Sequence, residues 1–94
     1  MHVPKLLIIN QFVFLLFAAD LFESRKHIHV EVRKGNRRYV AKFWLEPEVK
    51  LLKRGNLSDK ELAQAGKLIN ENYDTLVKQI EKFMRGEKIK TIKK

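Results

Sequence analysis

The residues whose types and spacing carry chemistry lie in one short stretch. His27 and His29 alternate with Ile28, Val30 and Val32, so both imidazoles share one face of an extended segment, about 7 Å apart. Glu31 and Arg33 continue that row. Two histidines beside basic side chains are the parts of a metal-free ribonuclease. One imidazole removes a ribose 2′-hydroxyl proton, the other protonates the leaving oxygen, and Lys or Arg steadies the phosphorane. Histidine suits both roles because its pKa lies near neutrality. As a zinc site the set is incomplete: His27, His29 and Glu31 give three ligands without a recognised spacing, and no metal or cofactor is expected. Two other readings of the row stay open, namely surface or interface packing and nucleic-acid contact without catalysis.

These residues need a frame, and the local pattern supplies one. His27–Lys34 alternates apolar with polar, Gly35-Asn36 is a two-residue turn, and residues 37–45 return with Tyr39, Ala41, Phe43 and Leu45 on one face. With Gly35-Asn36 as the loop, Val32 opposes Tyr39, Val30 opposes Ala41 and Ile28 opposes Phe43. The other face then pairs Arg33 with Arg38, Glu31 with Val40, His29 with Lys42 and His27 with Trp44. Trp44 is placed to stack on an exposed base or to serve an interface. Arg33 facing Arg38 is a like-charge pair that an anion between them would relieve. Lysine and arginine also protect sheet edges from aggregation, which is the plainer explanation.

The charge follows the same stretch. The 94-residue chain has a formal net charge of +9. Residues 25–54 carry ten basic and three acidic side chains, whereas residues 58–84 carry four against five. The excess therefore belongs to the hairpin and the C-terminal residues, which favours an acidic partner: nucleic acid, an anionic membrane surface or an acidic protein. Arg33, Arg37, Arg38, Lys42 and Trp44 are the candidate nucleic-acid contacts, and His27 and His29 the candidate catalytic pair. There are no cysteines, which excludes disulfides and thiolate chemistry and suits a reducing cytoplasm. No phosphate-binding loop, dinucleotide fingerprint, nucleophile elbow or helix-turn-helix pattern is present.

The apolar run from Leu6 to Ala19 follows Lys5 as a signal peptide would. It is too short to span a bilayer, however, and Asn10-Gln11 interrupts its centre. Its Phe, Val and Ile content predicts two strands, residues 4–9 and 12–19, turning at Asn10-Gln11. The second is apolar on both faces, so a neighbour is expected on the side away from the helix: a second copy, a cognate partner or a wrapped segment of this chain. Residues 49–52 predict a short further strand. Ser58-Asp59-Lys60-Glu61 is a capping box. Behind it Leu62, Gly66, Ile69, Tyr73, Leu76, Ile80 and Phe83 form a helical stripe, one long helix or two divided near Asn70–Asn72, ending at Gly86. The expected fold is α+β: a small antiparallel sheet of four to five strands with a C-terminal helix, whole or broken in two, on one face. Residues 1–86 make one domain, and residues 87–94 a mobile basic tail.

The run His27-Ile28-His29-Val30-Glu31, then Ala41-Lys42-Phe43-Trp44-Leu45 after a short turn, then a Ser-capped helix, resembles the small bacterial domain-of-unknown-function family 4160. The resemblance spans residues 12–83. Where members carry Asn-Pro-Pro before the first histidine, this chain has Glu23-Ser24-Arg25-Lys26. The resemblance implies a cytoplasmic bacterial protein with a cognate small protein partner, because genes of the family often neighbour those of family 2442 in a toxin–antitoxin-like arrangement. Two functions follow as expectations. One is a toxin–antitoxin-like component whose basic hairpin engages nucleic acid, RNA above all, with metal-independent ribonuclease activity as its enzymatic form. The other is a non-catalytic interaction subunit that forms a homodimer or a complex with a cognate small protein. A peripheral membrane role, using the N-terminal run with the basic residues, ranks third.

Overall fold

The hairpin at the centre of the chain sets the architecture. In the computed structural model, which describes residues 4–16 and 25–94, His27–Lys34 forms β3 and Arg37–Trp44 forms β4. Their antiparallel register is the one alternation demands, from His27 opposite Trp44 to Arg33 opposite Arg38. Gly35 takes φ +60 at the first loop position, a conformation glycine adopts without strain in a two-residue hairpin. β1 (Lys5–Ile9) and β2 (Phe12–Leu15) make a second hairpin around Asn10-Gln11. Asn10, at φ +53, is among the few residue types that tolerate the left-handed region. Positions 17–19 of the predicted second strand lie outside the described residues.

β5 (Lys50–Lys53) follows the loop around Pro47 and pairs with β4 through a register shift between Lys42 and Phe43. The described sheet has six strands in the order β5-β4-β3-β2-β1-β6. The sixth strand adds one to the four to five expected. Ile92–Lys93 forms β6 and pairs parallel to β1, with the Lys94 amide donating to the Ile8 carbonyl at 2.9 Å. Residues 92–94 are therefore held along the sheet edge, with Ile89 and Ile92 partly buried against the core. Burying these two side chains supplies the driving force that a solvated basic tail would lack.

The helical stripe is divided. α1 (Asp59–Glu71) and α2 (Tyr73–Met84) meet at Asn72, whose side-chain amide donates back to the Leu68 carbonyl at 2.9 Å. The capping box is formed in both directions: the Glu61 amide donates to Ser58 Oγ, and the Ser58 amide donates to Glu61 Oε1. Ala65, Ile69, Leu76 and Ile80 cover the sheet face built from Phe12, Phe14, Ile28, Val30, Val32, Ala41 and Phe43. Tyr73 fixes the junction by donating its hydroxyl to the Leu45 carbonyl at 2.8 Å. On the far face of β2, Val13 is half-buried and Leu15 is 1% exposed within the single chain. Leu15 is thus already covered within the chain, which leaves it no open surface for a second copy or a partner. No helix among the described residues is long and apolar enough to cross a membrane.

Candidate nucleic-acid interface

At the hairpin tip, the pairing of Arg33 with Arg38 has an internal explanation. Strand alternation puts Glu31 on the same face as Arg33, one step diagonal from Arg38. Its Oε1 accepts from Arg33 Nε at 3.1 Å and forms an ion pair with Arg38, whose Nε lies 2.7 Å away. The Glu31 side chain is almost fully buried, at 3% exposure, beside arginine side chains that remain 68% and 55% exposed. A buried carboxylate is costly unless paired, and one charge-assisted hydrogen bond and one ion pair meet that need. The anion that relieves the arginine pair is thus the chain's own Glu31. Arg33 and Arg38, with Gly35, Asn36 and Arg37, line an open depression of about 330 Å³.

Lys34 leaves this group. Its Nζ lies 2.8 Å from Glu61 Oε1, on the helix side of the sheet, and 5.3 Å over the Tyr39 ring. The hydrogen bond from Lys34, followed by that of the Ser58 amide, holds the Glu61 carboxyl below its ordinary pKa.

The histidine row is assembled as alternation requires, but its members differ in access. The His27 and His29 rings stand edge to face at 5.6 Å between centroids, and His27 meets Trp44 the same way at 5.7 Å. His27 is 2% exposed, with Nδ1 3.3 Å from the Arg25 carbonyl oxygen. A two-imidazole mechanism needs both rings against one phosphodiester. His27 has no such surface, while His29 and Lys42 are half-buried cross-strand neighbours. Trp44 is half-buried, and Arg25 lies over its ring at 4.1 Å to the centroid. Arg25 is anchored there through Nε and Nη2, which donate to the Glu46 carbonyl at 3.2 and 3.0 Å. A base stacking on Trp44 would have to use the indole face away from Arg25 or displace that side chain.

The structure therefore gathers Arg33, Arg37 and Arg38 at the tip and His27, His29, Lys42 and Trp44 near the other end of the hairpin. Among the described residues, no group of three or more His, Asp or Glu is arranged to hold a metal ion. Two participants escaped the sequence reading. Glu31 was placed in the histidine row, although its diagonal relation to Arg38 follows from the register. Arg25 lies in the segment before His27, and nothing in its sequence neighbours signals a contact with Trp44.

This arrangement defines a small α+β protein with an exposed arginine cluster at the tip of a central hairpin. Residues 12–81 match the family described as Domain of unknown function (DUF4160), and the chain belongs to it. Neither the curated proteins nor the solved structures contain a match to the chain.

Proposed function

We propose that this protein is the nucleic-acid-engaging component of a bacterial, cytoplasmic toxin–antitoxin-like pair, and that it grips RNA through its basic hairpin. The observation that supports this reading is the open depression at the hairpin tip, lined by Arg33, Arg37 and Arg38. Arginine forks match phosphate oxygens in geometry and charge, and contacts of this kind fix a nucleic acid without reading its sequence. The toxin–antitoxin context is an inference from the family resemblance and from no feature of the site. The burial of His27 favours binding over two-histidine cleavage.

The test is a titration of the full chain with labelled single-stranded RNA and a matched DNA duplex at two salt concentrations. Affinity should fall steeply with salt, because neutralised phosphates release counterions. Binding indifferent to salt, or absent for RNA, refutes the reading. Incubating the RNA with parent and His29→Ala protein decides catalysis: cleavage lost in the variant would make His29 the acting base.

A second reading, a protein-interaction subunit, is favoured by β5. Leu51 and Leu52 are 41% and 39% exposed on this edge strand between Lys50 and Lys53. A cognate small protein or a second copy pairing there would appear as a complex of defined mass in light scattering, and Leu52→Lys should dissolve it.

A further inference from the structure

We propose that the hairpin tip is a preorganised phosphodiester site in which Glu31 is a positioning residue, holding Arg33 and Arg38 by their Nε atoms so that their remaining donors meet one phosphate. The inference deepens the nucleic-acid reading above and rests on it for the source of the phosphate.

Three observations lead to it. First, one carboxylate oxygen engages both arginines at Nε, accepting a hydrogen bond from Arg33 and forming an ion pair with Arg38. A guanidinium has five N–H donors in a rigid plane, so engaging Nε fixes that plane and leaves the far-edge amino groups for a ligand. Second, the burial is graded. Glu31 is sealed at 3% exposure, whereas the Arg33 and Arg38 side chains are more than half exposed, so the anchor is inside and the arginines reach outside. Third, Arg33 and Arg38 line one open depression together with Arg37. An exposed arginine loses side-chain entropy when it clamps a ligand, and anchoring at Nε removes much of that loss beforehand. The ligand class is a phosphate group with at least two free oxygens, as in the backbone of a single-stranded RNA.

The two explanations of Glu31 predict opposite signs. If it were only a nearby negative charge, removing it would tighten phosphate binding, since the net charge of the tip rises. If it positions the arginines, removing its acceptor oxygen loosens binding despite the added charge. Glu31→Gln keeps an acceptor in place and drops the charge, while Glu31→Leu fills the space and removes the acceptor.

The experiment has two arms on the full chain. In the first, ¹⁵N-detected NMR follows the Nε–H signals of Arg33 and Arg38 during titration with inorganic phosphate. Both signals should be resolved in the free protein and should shift together. Unshifted signals overturn the site, and this arm needs no variant to fold. In the second, anisotropy with labelled single-stranded RNA compares parent, Glu31→Gln and Glu31→Leu, each first checked for a cooperative thermal transition. Glu31→Leu should bind about tenfold more weakly, the scale of one lost charge-assisted bond, and Glu31→Gln should retain most of the affinity. Tighter binding by Glu31→Leu, or equal losses in both variants, overturns the positioning role and leaves RNA binding standing. Phosphate-dependent shifts in a parent that ignores RNA keep the phosphate site and refute RNA as its source. Co-sedimentation with phosphatidylglycerol vesicles would then move the assignment to a lipid headgroup.

Discussion

Gln79, in the middle of α2, donates its side-chain amide to the carbonyl of Leu6 in β1 at 3.0 Å, across 73 residues of sequence. The same nitrogen donates to the Lys90 carbonyl at 2.9 Å, just before β6. Leu6 lies where the β1–β2 register shifts between Lys5 and Leu7, so its carbonyl sits at an irregularity of the ladder. One buried amide therefore ties the helix to both strands at this end of the sheet, and both lie outside the segment that matches the family.

Gln79→Leu keeps the volume and removes both donors. Two carbonyls then lose a partner in a site where Gln79 is 4% exposed. A loss of about 1–3 kcal/mol is expected, because unsatisfied buried acceptors carry their full desolvation cost. Urea unfolding of both proteins measures it, and a loss within error of zero would show that water replaces the amide.

The docked C-terminus makes a second, coupled prediction. Deleting residues 88–94 removes Ile89, Ile92 and the Lys90 acceptor, along with the hydrogen bond from Thr91 Oγ1 to the Lys5 carbonyl at 2.8 Å. The shortened chain should be less stable, and Gln79→Leu should cost less in it than in the full chain. A double-mutant cycle reads that coupling directly. Additive effects would mean that the Gln79–Lys90 bond contributes nothing.

How much of this was legible in the sequence depends on how many independent patterns met at each residue. The β3–β4 register was legible because the apolar face and the polar face each demanded the same pairing, with Gly35 at the turn. The Ser58–Glu61 box was legible because its two bonds need only local spacing. β6 was not, since a two-residue strand has no measurable alternation and its partner lies at the other end of the chain. Gln79 was not, because a glutamine beside a helical stripe reads as solvated until the carbonyls it meets are known. At the site, alternation places His27, His29, Glu31 and Arg33 on one face, yet gives no means of telling the buried His27 and Glu31 from the exposed Arg33. That difference arises from side-chain reach across strands.

Lys34 and Glu61 predict a pH dependence. The Glu61 carboxyl is held below its ordinary value, first by Lys34 and then by the Ser58 amide. A carboxyl with a depressed folded-state pKa adds stability that is complete above its unfolded value, about 4.3, and is lost as pH falls through the folded value. Lys34→Gln should therefore lower the thermal midpoint at pH 6–7, and the gap to the parent should close in acid, once Glu61 is protonated in both proteins. A gap that stays constant down to pH 2.5 would assign the effect to packing of the lysine stem over Tyr39.

Gly55 and Gly35 form a matched pair for separating backbone strain from steric conflict. Both have positive φ, +58 and +60. A Cβ on Gly35 meets nothing within 4 Å, so Gly35→Ala should cost only the left-handed penalty, about 1–2 kcal/mol. A Cβ on Gly55 would stand 2.1 Å from the Val40 carbonyl oxygen and 2.9 Å from its carbon, both backbone atoms of β4. Neither can rotate away, so the loop between β5 and α1 must lift from the sheet. Gly55→Ala should cost about 2–5 kcal/mol, the same penalty with an overpacking strain added. The displaced loop carries Arg54, whose Nη2 donates to Asp59 Oδ1 at 2.6 Å at the start of α1. Amide exchange in the first turn of α1 should therefore quicken in Gly55→Ala and stay unchanged in Gly35→Ala. Equal stability losses in the two variants would mean that the loop shifts at no cost and that the close approach of Gly55 to β4 does not hold α1 in place.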